Sequence, residues 1–315
     1  MKYPVLPFVA RPDDPFEAAW VDALRRAMPA ETIEPIGRLD EAALQACEVA
    51  IVANPRPEDL RRMPRLKWVQ SVWAGVERMV ADLRDTDLKI VRLVDPQLSD
   101  TMAEAVLAWT LYLHRDMPKY ASQQRQRQWK PLEYVRPQDK TVSLLGLGAL
   151  GAAAAARLRA NAFRVQGWSR TLRTLPGVTC YAGDDGLARM LADTDILVCL
   201  LPLTEQTRGL LNDVTFSQLG RPACLINFGR GAIVDDEALR RVLEGGGLRH
   251  AVLDVFATEP LPMDSWHWTH PAVTVLPHVS APTDQATASA IVAANVAAFR
   301  RIGAIPPHVD RIRGY

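Results

Sequence analysis

The sequence predicts an α/β protein built from two Rossmann-like or flavodoxin-like, doubly wound parallel-sheet domains with a cleft between them. Three observations carry that expectation. Short apolar runs alternate with helical stretches along most of the chain. One glycine-rich turn, Gly146-Leu147-Gly148-Ala149-Leu150-Gly151, follows an apolar strand and opens an alanine-rich helix. A length of 315 residues exceeds one average domain.

The first domain is read from Tyr3 to about Val91, with strands at Tyr3–Ala10, Glu48–Ala53 and Lys67–Val72 and helices at Phe16–Met28 and Glu41–Cys47. A longer helix from about Ser99 to Arg115 carries apolar Ala105, Val106, Ala108, Trp109 and Tyr112, with Pro118 close behind it. It is expected to cross into the second domain. There the strands are Thr141–Leu145, Arg164–Trp168, Ile196–Leu200, Ala223–Ile226, His250–Val255 and Ala272–Leu276. Gly245-Gly246-Gly247 stops the amphipathic helix Asp236–Glu244, so it is a turn and not a phosphate cradle. A last helix, Ala286–Arg301, and the tail Pro306–Tyr315 are expected to return to the first domain. The boundaries are therefore 1–100 with 287–315, and 101–286.

Charge and cysteine content narrow the classes. Lys plus Arg number 37 against 36 for Asp plus Glu, with no concentrated basic stretch, so nucleic acid is not an expected partner. Cys47, Cys180, Cys199 and Cys224 lack CxxC spacing and suit reduced thiols. No segment approaches the roughly 18 apolar residues of a membrane span, and the start reaches Arg11 before a signal-length apolar run develops, so a cytoplasmic location is expected. His114, His250, His267, His270 and His308 show no metal-ligand spacing, and no metal is expected. No GxSxG elbow surrounds any serine, which disfavours acyl transfer.

In the glycine turn, Gly146 permits the bend, Gly148 lets a pyrophosphate approach the backbone, and Gly151 lets helix and strand pack closely. Ala149 and Leu150 supply amides at the helix start. The alternatives are a turn kept for packing alone or a site for another nucleotide-like ligand. About 20 residues beyond the glycines, an NAD site usually places a carboxylate on the ribose 2′-hydroxyl. Here Ser169-Arg170-Thr171 stands instead, with Arg173 nearby, so NADPH is the expected preference and NADH the possible second cofactor.

Three further segments end or follow predicted strands: Asn227-Phe228-Gly229-Arg230, Asp254-Val255-Phe256-Ala257-Thr258-Glu259, and Pro277-His278. Reducing a 2-keto acid needs a cation for the carboxylate and an acid for the ketone oxygen, tasks that suit Arg230 and His278. Singly, each is as readily a surface or strand-capping residue.

With the glycine turn and Leu201-Pro202-Leu203-Thr204-Glu205-Gln206-Thr207, these segments resemble the D-isomer-specific 2-hydroxyacid dehydrogenase family over almost the whole chain. Trp168-Ser169-Arg170-Thr171, Trp129-Lys130-Pro131 and the ending Val309-Asp310-Arg311 with Arg313-Gly314-Tyr315 are similar to its glyoxylate/hydroxypyruvate reductase A branch. The resemblance implies that Arg230 binds the substrate carboxylate and keto oxygen, His278 is the general acid, and Glu259 orients and charges the imidazole. It also implies cofactor contacts from Leu201, Pro202, Thr207 and Asp254, the last to the nicotinamide carboxamide. Backbone amides around Trp73, Ala74 and Gly75 are implied to hold the substrate carboxylate, which makes the first domain substrate-binding and the second dinucleotide-binding. A homodimer follows from the same resemblance. The competing readings are a reductase of another 2-keto acid (pyruvate, or a branched or aromatic one) and a non-catalytic NAD(P)-sensing module.

Overall fold

The computed structural model describes residues 3–310. Of the chain-end motif, Val309 and Asp310 are included, while Arg311 and Arg313–Tyr315 lie outside the described residues. The chain divides into two compact units, one running to Gln97 and resuming at Thr283, the other spanning Leu98–Pro282.

The first unit is a five-stranded parallel sheet of β1 (Leu6–Ala10), β2 (Ile33–Pro35), β3 (Val49–Ala53), β4 (Trp68–Ser71) and β5 (Lys89–Val91), in the order β2-β1-β3-β4-β5. Successive side chains alternate between faces, and both faces are covered. Leu6, Phe8, Ile51 and Trp68 pack against Trp20, Val21 and Leu24 on one side, together with Ala288, Val292, Val296 and Phe299 of the helix Gln285–Ile302. Val9, Val52, Val69 and Ile90 pack against Leu44, Leu60 and Leu83 on the other.

The last helix thus belongs to the first sheet, as its apolar stripe requires. Trp68 meets Phe299 edge-on with centroids 5.5 Å apart. Asn295 Nδ2 donates to Gln70 Oε1 at 2.8 Å, so the buried Gln70 amide is answered from the helix. The Arg300 side chain, 7% exposed, pairs with Glu31 at 3.2 Å and donates to the Pro4 carbonyl at 3.1 Å. Beyond the helix, Val309 N–H donates to the Ile90 carbonyl at 2.8 Å. Asp284 caps the helix start by accepting from Thr287 N–H, and Gly303, with φ 69°, ends it.

The second unit has seven parallel strands: β6 (Thr141–Leu145), β7 (Arg164–Trp168), β8 (Thr179–Tyr181), β9 (Ile196–Cys199), β10 (Ala223–Asn227), β11 (Leu248–Leu253) and β12 (Val273–Val275). Their order is β12-β11-β10-β9-β6-β7-β8, so the winding reverses between β6 and β9. One face packs on Met102, Ala103, Val106 and Leu113 of the helix Pro96–His114 and on Ala154, Ala155 and Leu158 after the glycine turn. The other packs on Leu187, Met190, Leu191, Leu239 and Leu243.

Several expected bounds move. The strand expected at His250–Val255 runs Leu248–Leu253, because parallel pairing with β10 begins at Ala223↔Leu248. The strand expected from Tyr3 begins at Leu6, and the helix expected from Ser99 begins at Pro96. The three-residue strands β2, β5 and β8 were not foreseen; each lies at a sheet edge, paired on one side only. Among the described residues no helix is long and apolar enough to cross a membrane.

His250 lies buried on β11 and bonds through Nε2 to Thr274 Oγ1 at 2.9 Å. Burial, with His270 adding repulsion, pushes its pKa down from 6.5 to about 4. The folded state therefore keeps His250 neutral while the unfolded chain takes up the proton. That stability is fully present above pH 6.5 and is lost as pH falls toward 4. Denaturant titrations at pH 7 and pH 4.5 should show His250→Gln losing roughly 2–3 kcal/mol less between the two than the parent chain. Equal losses would show that His250 does not carry the effect.

Candidate active site

In a parallel sheet every strand ends on the same edge, and here the ends are zipped to one another. Leu200 N–H donates to the Leu145 carbonyl, Phe228 to Cys199, Asp254 to Asn227 and Leu276 to Leu253, all at 2.8–3.1 Å. The loops that follow β6, β9, β10, β11 and β12 thus stand side by side in the order of the strands. They contain Gly146–Gly151, Leu201–Thr207, Arg230, Asp254 with Glu259, and His278.

The glycine turn opens with Gly146 at φ 103°, where a side chain would be strained and its Cβ would sit 3.1 Å from the Leu200 carbonyl oxygen. A Cβ at Gly151 would run into the Gly146 carbonyl. Gly148 differs, because a Cβ there meets no protein atom within 4 Å. The helix Ala149–Ala160 starts at this point with no side-chain cap, so the amides of Ala149 and Leu150 have no protein side chain answering them. Two glycines are thus needed by the fold and one only by whatever approaches the turn. That division fits an anionic dinucleotide.

After β7 the turn carries no carboxylate between Trp168 and Arg173. The Ser169 hydroxyl donates to the Thr171 carbonyl at 2.8 Å, which shapes the turn, and Arg170 is exposed. The loop after β9 is held by Thr207, whose hydroxyl donates to the Pro202 carbonyl at 2.7 Å and accepts from Thr204 N–H at 2.8 Å. Leu201 lies buried under Gly146.

His278 Nδ1 and Glu259 Oε2 are 2.8 Å apart, with the side chains 54% and 36% exposed. Phe256 N–H donates to Glu259 Oε1 at 2.9 Å and fixes the carboxylate from its other side. Arg230 stands in extended backbone after β10, its Nη1 donating to the Gly229 carbonyl at 2.7 Å. Asn227 braces that loop twice, accepting from Gly229 N–H and donating to the Arg230 carbonyl, both at 3.1 Å. Gly231 has no room for a Cβ because the backbone of Phe256 and Ala257 abuts it, which brings the Arg230 and Glu259 loops together.

The electrostatics favour imidazolium. The hydrogen bond to Glu259 raises the His278 pKa above the ordinary 6.5, and this outweighs both burial and the opposing charge of Arg230. Burial works to raise the Glu259 carboxyl, yet its bonds to His278 and Phe256, with the His278 and Arg230 charges, hold it below the ordinary carboxylate range. Asp254 is 2% exposed, and its two oxygens accept from Val279 N–H at 2.7 Å and Ser280 N–H at 2.9 Å.

The structure therefore brings Arg230, Glu259 and His278 together, on one sheet edge with the glycine turn. Trp73, Ala74 and Gly75 follow β4 in the first unit. Trp73 N–H donates to Ser71 Oγ at 3.0 Å, and its ring meets Trp20 edge-on with centroids 5.5 Å apart. Sequence reasoning gave no role to Asn227 or Phe256. The Phe256 contribution is a backbone amide, which no residue pattern displays; Asn227, a polar residue closing an apolar strand, was a signal that could have been read.

The NAD-binding domain of the D-isomer-specific 2-hydroxyacid dehydrogenases matches residues 107–280. A glyoxylate/hydroxypyruvate reductase A of Yersinia enterocolitica is 37% identical over 307 residues, covering 95% of this chain and 97% of that protein. The chain belongs to the D-isomer-specific 2-hydroxyacid dehydrogenase family. Among solved structures of that family, a member from Xanthobacter autotrophicus in complex with NADPH and MES superposes with a TM-score of 0.92 at 36% identity, covering 99% of this chain and 100% of that one. An NADPH-dependent glyoxylate/hydroxypyruvate reductase from Sinorhizobium meliloti, in complex with NADP and sulfate, gives 0.89 at 34% identity, covering 98% and 100%. This dehydrogenase is accordingly a nicotinamide-dependent oxidoreductase whose turn at Gly146–Gly151 fits the cofactor's pyrophosphate.

The two kinds of glycine should separate by experiment. Gly148→Ala is expected to keep its stability within roughly 0.5 kcal/mol and to lose cofactor affinity. Gly151→Ala is expected to cost about 1–3 kcal/mol of stability through overpacking. Thermal melts and fluorescence titration with NADPH report both, and unchanged affinity in Gly148→Ala would remove the turn from the binding site.

Proposed function

We propose that this dehydrogenase reduces glyoxylate to the achiral 2-hydroxy acid or hydroxypyruvate to the corresponding (R)-2-hydroxy acid, with NADPH preferred over NADH. The contact that carries the reading is His278 Nδ1 to Glu259 Oε2 at 2.8 Å, with the Arg230 charge acting on both groups. NADPH, when bound, supplies the hydride. With Nδ1 committed to Glu259, Nε2 is the atom of His278 that gives a proton to the keto oxygen. Arg230 binds the substrate carboxylate and polarises the ketone. The first unit, expected at 1–100 with 287–315 and found to end at Gln97 and resume at Thr283, is the substrate-binding domain, where backbone amides around Trp73, Ala74 and Gly75 hold the carboxylate; the second, Leu98–Pro282 against an expected 101–286, is the dinucleotide-binding domain. Asp254, Leu201, Pro202 and Thr207 complete the cofactor contacts.

The substrate reading is supported by the names of the Yersinia and Sinorhizobium relatives. The cofactor reading is supported by Arg170 and by the missing carboxylate after β7. A homodimer is supported by the exposed Met117, Tyr120, Trp129, Tyr134 and Val135, which cluster in one stretch of the second unit. A cytoplasmic location is the reading that suits the free cysteines Cys47, Cys180, Cys199 and Cys224.

His278→Ala and Arg230→Ala should each lower kcat/KM for glyoxylate by on the order of 10²–10⁴ while NADPH still binds. Near-normal turnover in either variant removes that residue from the mechanism. Reduction needs imidazolium, so kcat/KM falls as pH rises through a His278 pKa held above 6.5. Glu259→Gln removes the charge that favours imidazolium and should move this fall to lower pH; an unmoved alkaline limb would contradict the assignment. A charge-assisted contact is worth about 1.5–3 kcal/mol, so Arg170→Glu should reduce the NADPH-to-NADH ratio of kcat/KM by roughly tenfold or more. A ratio unchanged in that variant would exclude Arg170 from 2′-phosphate recognition.

A further inference from the structure

We infer that Asp254 is a positioning residue for catalysis: it holds His278 in a left-handed backbone conformation and thereby keeps the imidazole against Glu259. The inference rests on His278 acting as the general acid. Three observations carry it. His278 has φ 56°, a region that residues with a side chain seldom occupy. The two residues that follow it both donate their amides to one carboxylate, Val279 to Asp254 Oδ1 at 2.7 Å and Ser280 to Asp254 Oδ2 at 2.9 Å. That carboxylate is 2% exposed and fixed from behind, since Asp254 N–H donates to the Asn227 carbonyl at the end of β10.

Besides the cofactor contact proposed for it, Asp254 answers the His278 loop with both oxygens. Without those acceptors, two amides at the sheet edge lose their partners and His278 is free to return to negative φ. A residue that changes the sign of φ swings its side chain away from its former direction. His278 Nδ1 would then leave Glu259 Oε2, now 2.8 Å away, and the acid would be lost although Arg230, Glu259 and His278 are all still present. The charged groups acting on the imidazole are Glu259, Arg230 and Asp254 itself.

Asp254→Asn keeps the size of the side chain but leaves one oxygen acceptor and turns an amide donor toward the other N–H. In the variant, without cofactor, proton NMR should show loss of the low-field Nδ1–H signal of the His278–Glu259 bond, and the His278 pKa should fall toward the ordinary histidine value. With NADPH and glyoxylate, kcat should fall on the order of a hundredfold from the misplaced acid. A retained low-field signal would overturn the proposal, whatever the pKa or the activity does, because loss of the Asp254 charge by itself lowers the His278 pKa.

Should Asp254→Asn not fold, hydrogen exchange in the parent enzyme decides: the Val279 and Ser280 amides should be protected, and exchange at the rate of an open loop would overturn the proposal. The general-acid reading fails separately, through full activity of His278→Ala with the parent's NMR signal and amide protection intact.

Discussion

Parallel pairing of strands is the constraint on which the rest depends. A parallel sheet forces each connection to return to the starting edge, and with both faces covered by helices the strands become apolar throughout. In the second unit Ser143, Gln166 and His250 are buried polar exceptions within the strands, and the site residues gather at the strand ends. The seven ends share one edge, and the reversal between β6 and β9 opens the edge where two loops turn opposite ways. The glycine turn lies on one side of that reversal and the loops of Arg230, Glu259 and His278 on the other. Residues more than a hundred positions apart are thus neighbours for reasons of topology, before any of their own interactions act.

Within that frame the charges are arranged to oppose one another. Arg230 favours neutral imidazole and Glu259 favours imidazolium; the carboxylate prevails because it is hydrogen-bonded to the ring. Glu259 is in turn kept ionised by donors on both oxygens. The group is half-exposed, so solvent screens its electrostatics and geometry matters more than depth of burial. Backbone does most of the placing: the amides of Phe256, Val279 and Ser280 and the close approach at Gly231 fix the three side chains. A left-handed histidine costs about 1–3 kcal/mol and persists only where the surroundings over-determine it.

The first unit is held by a different balance. Its last helix is supplied from far along the chain and docks through Val292, Val296 and Phe299, with the Asn295–Gln70 and Arg300–Glu31 pairs answering polar groups that this docking buries. Such pairs add little net stability, but leaving either partner unanswered would be costly, so they favour one seating of the helix over others.

Sequence alone determined the two doubly wound sheets, the glycine turn, the return of the last helix to the first sheet, and the imidazole, carboxylate and guanidinium of the candidate site. These follow from apolar period, from glycines flanked by strand and helix, and from the resemblance of named segments, all of which are local in the chain. Only tertiary structure decided the short edge strands β2, β5 and β8; β12, equally short and also at an edge, was legible because apolar Ala272–Leu276 marks it. It alone put Asn227, Phe256 and Asp254 behind the Arg230, Glu259 and His278 side chains and turned His278 left-handed. Those features are made by backbone groups from separate loops meeting in space, and a one-dimensional pattern of side chains carries no record of where a distant amide points.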